Sequence, residues 1–111
     1  MAFGGRSAPE VPRPSATELP DGLTHYRSTP LFDERSTPAA LRSDHCTKPG
    51  VWGLIRVSKG RLRYCVTDSR RAATSVELTT DSPPGIIEPA ILHRVDPIGE
   101  VEFQVEFWKT G

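Results

Sequence analysis

A chain of 111 residues has material for one hydrophobic core, not two. Lys+Arg and Asp+Glu both number 14, so the formal charge is zero and the basic excess typical of a nucleic-acid binder is missing. Hydrophobic residues at 36% and charged residues at 25% are ordinary for a globular protein, and no window reaches the ~18 consecutive apolar residues that cross a bilayer.

The start, Met1-Ala2-Phe3-Gly4-Gly5-Arg6, lacks the apolar stretch of a secretory signal, so a cytoplasmic protein is expected. Residues 1–18 are rich in Gly, Pro, Ser and Ala and bury little apolar area, which predicts a disordered tail; the folded domain is expected over 19–111. Eleven prolines and nine glycines then punctuate the chain too often for long helices.

Short extended pieces are expected at 24–27 and 31–32, with a helical turn or so near Pro38-Ala39-Ala40. Over 41–47, alternation sets Leu41, Ser43, His45 and Thr47 on one face and Arg42, Asp44 and Cys46 on the other. The β-formers of 51–58 run to Lys59-Gly60, which reads as a hairpin, and 61–68 return with Leu62, Tyr64 and Val66 inward. Strands at 74–78, 86–88 and 91–95 follow, the last two hinged at Pro89. The most regular alternation closes the chain: Val101, Phe103, Val105 and Phe107 against Glu102, Gln104, Glu106 and Trp108. Eight or nine short strands without a helical period predict an all-β sandwich or barrel.

Two cysteines, Cys46 and Cys65, form neither a disulfide framework nor a CxxC pair, and alternation puts both on polar faces as reduced thiols. Because neighbours in a strand turn opposite ways, Cys46 is not expected to act jointly with His45. The cluster Arg61, Arg63, Arg70 and Arg71 reads as solvated edge and loop charge. Gly-rich phosphate loops, GxSxG elbows and HExxH motifs are all missing.

His45 and His93 each share a face with apolar neighbours. An imidazole among apolar walls needs a hydrogen bond, a titrating partner or a metal, so each is a satisfied core histidine or a ligand. Glu88, just before Pro89, could bend towards the same cavity, with Glu106 as its less favoured rival. Two imidazoles and a carboxylate would suit one divalent ion such as Fe, Zn or Ni. His25 reads as an ordinary edge residue.

The stretch Asp44-His45-Cys46-Thr47-Lys48-Pro49-Gly50-Val51-Trp52-Gly53, the Gly60 region with Leu62-Arg63-Tyr64, and the block Ile87-Glu88-Pro89-Ala90-Ile91-Leu92-His93-Arg94-Val95 together carry a family resemblance. So do Leu19-Pro20-Asp21-Gly22-Leu23 with Tyr26 and Thr29-Pro30, and Val105-Glu106-Phe107. From residue 19 to 109 the chain resembles the TehB/YeaR-like domain, a cupin-superfamily module found alone or ahead of the methyltransferase in some tellurite-resistance proteins. The resemblance implies a cupin-like double-stranded β-helix, a jelly-roll barrel of two facing sheets with a pocket at one mouth. Against the broader cupin pattern, His45 matches the first His of the HxH pair and His93 the single His of the second motif. Thr47 stands in the second His slot and Trp52 in the usual Glu slot, so half the ligand set is missing unless Glu88 or Glu106 fills it.

The function expected is therefore a small-molecule or metal-binding domain in a tellurite, oxyanion or nitrosative stress response. Thr47, Lys48 and Trp52 would line its pocket, with Lys48 offering charge to an anionic ligand. The alternative is a mononuclear metal-dependent dioxygenase or isomerase with His45 and His93 as ligands. No room for an α/β cofactor domain follows, so neither S-adenosylmethionine nor a nucleotide is expected. Trp108, a large aromatic among charges, hints at a covered sheet face and a homodimer.

Overall fold

A computed structural model describes residues 12–111. Apart from one 3-10 turn, Ala39–Arg42, its elements are strands: β1 (Leu23–Ser28), β2 (Phe32–Asp33), β3 (Trp52–Val66), β4 (Thr74–Leu78), β5 (Gly85–Ile87) and β6 (His93–Thr110). All pairings among these strands are antiparallel, and hydrogen bonds join the six into one sheet. The all-β expectation is met.

Its backbone is a long two-stranded ribbon. β3 and β6 pair from Trp52↔Trp108 to Val66↔His93. The short strands dress its two edges: β1 and β2 lie along β6, while β5 and β4 lie along successive parts of β3.

This corrects the hairpin expected at Lys59-Gly60. The chain does not reverse there; β3 runs straight through, with register shifts between Val57 and Lys59 and between Gly60 and Arg61. A one-residue bulge moves every later side chain to the opposite face. Ile55 is therefore inward before Ser58, and Leu62, Tyr64 and Val66 are inward after it. A hairpin and a bulge produce the same change of parity in the sequence. Gly60 supplies the conformation for the bulge: its φ is +74°, and a Cβ would run into the carbonyl oxygen of Glu100.

The separate strands expected at 91–95 and 101–108 likewise merge into β6, which passes through Gly99 at φ +68°. The strand expected at 41–47 is not formed. After the 3-10 turn the segment is a loop that touches the sheet through a single bridge, His45 to His93.

Both halves of the ribbon close over one core, where Ile55, Leu62, Val101 and Phe103 are completely or almost completely buried. Cys65 points away from that core yet is only 6% exposed, because its cross-strand neighbours Ser75 and Arg94 flank it. Cys65 thus lies on the face opposite the core, as the alternation places it, but is covered there by its neighbours. Its Sγ donates to Ser75 Oγ at 3.6 Å, and both cysteines are free thiols.

Of the expected tail, residues 1–11 lie outside the described residues. The remainder is tied down: Ala72 N donates to Arg13 O at 2.8 Å, and Ala16 N donates to Glu88 Oε1 at 2.9 Å. Among the described residues no helix is long and apolar enough to cross a membrane.

Candidate ligand-binding site

β6 begins at His93, and the loop carrying His45 lies against that beginning. The two residues exchange both backbone hydrogen bonds, His45 N to His93 O at 2.9 Å and His93 N to His45 O at 2.8 Å. The side chains of such a pair lie on one face, and the ring centroids stand 4.2 Å apart. The structure brings together the two imidazoles that the sequence singled out.

Each ring is held in the same way. His45 Nδ1 lies 2.9 Å from Ser43 O, and His93 Nδ1 lies 2.9 Å from Ile91 O. A carbonyl only accepts, so Nδ1 carries the proton in both rings and Nε2 of a neutral ring keeps its lone pair. Among the described residues neither Nε2 has a hydrogen-bond partner. His93 is 2% exposed, and its pKa is pushed down to about 4, first by burial and also by the nearby His45, against the opposing pull of Ile91 O and Asp44. It is neutral at physiological pH.

The rings form part of the wall of a cavity of about 270 Å³. The apolar wall comes from the core itself: Ile55, Ile87, Val95, Phe103, Val105 and Phe107. Thr47 and Lys48 line it, and so do Tyr26 and Arg27 of β1. Cys46 also lines it, beside His45. Alternation would have turned the two apart, but it has no force in a loop.

Other expected members go elsewhere. Glu88 is held by Arg71, whose Nε and Nη2 reach its oxygens at 3.0 and 2.8 Å, and by Ala16 N. These bonds, led by that from Arg71, hold its carboxyl below the usual range. Arg71 is accordingly a largely buried partner, not a solvated charge. Glu106 pairs with Arg56 at 2.8 Å and accepts from Trp108 Nε1, on the face opposite Val105 and Phe107. Trp52 opens β3 opposite Trp108 and is not part of the cavity wall. His25 rests on Trp108 at 5.4 Å, so part of the cover over Trp108 is internal to the chain.

Among the described residues no group of three or more His, Cys, Asp or Glu is placed to hold a metal ion. The residues present therefore do not assemble the two-imidazole, one-carboxylate set.

Two contributors were missed from the sequence. Arg27 falls in the short extended piece expected at 24–27, where nothing in the pattern singles it out. Asp68 is 4% exposed and accepts from Arg70 Nε, Arg70 N and Leu92 N, which fixes the residue before His93. The Asp-Ser-Arg order, an Asx-turn signature, was the available signal for it.

The family model described as "TehB-like domain" matches residues 27–105. A curated relative, "Probable S-adenosyl-L-methionine-dependent methyltransferase TehB" of Haemophilus influenzae, is 29% identical over 79 residues, 70% of this chain and 28% of that protein. "Uncharacterized protein YeaR" of Escherichia coli (strain K12) is 24% identical over 97 residues, 82% of each chain. The crystal structure of Haemophilus influenzae TehB superposes with a TM-score of 0.74 at 25% identity, over 81% of this chain and 32% of that one. A crystal structure of a protein from Escherichia coli (strain K12) gives 0.74 at 22%, over 85% of this chain and 97% of that one. The chain thus spans less than a third of the TehB proteins it matches and most of YeaR.

Proposed function

This chain belongs to the TehB-like domain family, and on that premise we propose that it is a small-molecule-binding domain whose ligand sits in the cavity against His45 and His93. The observation that carries the reading is the pair of imidazoles at 4.2 Å, each tied through Nδ1, with unpartnered Nε2 atoms beside an apolar wall. A lone pair that faces a cavity with no protein partner is an address for a ligand's donor. The cavity lies just below the ~300–1,000 Å³ range of small-molecule sites.

Binding without turnover suits a site whose third metal donor is engaged elsewhere, and this ranks binding above the dioxygenase or isomerase reading. A cytoplasmic role in a stress response, such as that against oxyanions, fits the kinship with TehB.

Methyl-resolved NMR with neutral indole as probe tests the reading. Indole is expected to shift the methyls of Ile55, Ile87, Val95 and Val105, and to lose that effect in Val105→Trp, which fills the cavity. Absence of shifts at these methyls up to the solubility limit of indole would overturn it.

A further inference from the structure

The cavity has a chemical polarity from mouth to floor. Its wall contains no carboxylate, and its charged members are Arg27 and Lys48, both exposed. Among the described residues neither pairs with an acid. Arg27 lies over the Phe107 ring at 5.5 Å, and Lys109 Nζ stands 4.4 Å from the ring centre of Tyr26, which also lines the cavity. The mouth is thus positive in a protein with no net charge.

At the buried end stands His93, neutral and with Nδ1–H already committed, so its remaining nitrogen can only accept. Val95, Phe103, Val105 and Phe107 lie among the apolar residues of the wall. A ligand that satisfies all three zones carries an anionic group at one end, a flat or compact apolar body, and a hydrogen-bond donor at the other end.

We infer that the cavity takes a small phenolic carboxylate, its carboxylate at Arg27 and Lys48, its ring on the apolar wall, and its hydroxyl donating to an imidazole Nε2. The inference rests on the cavity being a ligand site, as proposed above. An inorganic oxyanion suits it poorly, because such an ion would leave water for apolar walls and meet lone pairs at the floor. A second cavity of about 440 Å³ lacks this order: its one charged residue, Arg56, is paired with Glu106.

Calorimetric titration of the full chain with para-hydroxybenzoate, benzoate, para-cresol and tellurite separates the possibilities. Para-hydroxybenzoate is expected to bind at least about tenfold more tightly than benzoate or para-cresol, since each of these lacks one charge-assisted or buried hydrogen bond. Lys48→Gln and Arg27→Gln should weaken para-hydroxybenzoate by a much larger factor than para-cresol, which has no carboxylate to lose; equal losses for both ligands would overturn the placement of the carboxylate. Nitrogen NMR of the unmodified protein should show an imidazole Nε2 resonance moved by para-hydroxybenzoate and not by benzoate.

Equal binding of the three organic probes, or tighter binding of tellurite, would overturn the ligand class while leaving the cavity as a site. No binding by any organic probe, together with no indole shifts, would remove the class and the site together.

Discussion

His93 has to be neutral where it is, and neutrality has a consequence for stability. In the folded chain its pKa is about 4, while an unfolded histidine titrates near ~6.5. Between these values the unfolded chain binds the proton and the folded chain does not, so stability falls as the pH falls through that window. The contribution is complete above ~6.5 and gone at about 4, and is on the order of 3 kcal/mol. Below this, Asp68 and Glu88 take over: their bonds to Arg70 and Arg71 hold both carboxyls low, so protonating them on further acidification removes stability as well. Urea unfolding from pH 7 to 4 should show the slope, and His93→Gln should flatten it. An equal slope in the variant would mean that the ring is already solvated or already charged. The sequence marked His93 as inward through Ile91 and Val95. It could not show which nitrogen holds the proton, because that depends on Ile91 O within a local backbone bend.

Between neighbouring residues the alternating pattern was legible and the connections were not. β4 lies where the period-two pattern put it, at Thr74–Leu78, and the inward set of Val101, Phe103 and Val105 is correct. What the pattern cannot distinguish is a reversal from a bulge, since both flip parity and both recruit a glycine with positive φ. Nor can it tell a strand from a loop over 41–47, where apolar content is low and only His45 pairs. The His45–His93 pairing was legible as two inward imidazoles, whereas Glu88 was misplaced because its partner Arg71 comes from a turn that carries no periodicity. The bulge itself is open to test. Gly60→Ala would force a Cβ against Glu100 O at φ +74°, and no side chain can yield there because the obstacle is backbone. The left-handed conformation alone accounts for roughly 1–2 kcal/mol, and the backbone clash adds to it. Chemical denaturation should show a larger loss for Gly60→Ala than for Gly22→Ala, where nothing lies within 4 Å of the added carbon. Equal losses would mean that the ribbon can shift its register around residue 60.

Across the whole molecule, the wall of the cavity and the core are one body. Ile55, Ile87, Val95, Phe103 and Val105 belong to both, so the site has no separate scaffold that could survive the loss of the core. Phe103 is the critical member. It is 0% exposed, its ring meets Phe32 of β2 at 5.7 Å, and Val105, the next residue on its face of β6, lines the cavity with it. Truncating a buried Phe to Ala removes its transfer free energy and leaves a void, about 3–5 kcal/mol together. That is a large share of the ~5–15 kcal/mol holding a typical domain folded. Phe103→Ala should therefore lower the unfolding midpoint in one transition, seen alike by tryptophan fluorescence and by far-ultraviolet circular dichroism. Both tryptophans sit at the far end of the β3–β6 ribbon, Trp52 opposite Trp108, so they report a region beyond the truncated ring. Two separated transitions would show that the ribbon's end and the cavity wall unfold independently. In that case ligand occupancy would stabilise only the wall, and the tie between binding and global stability would be broken.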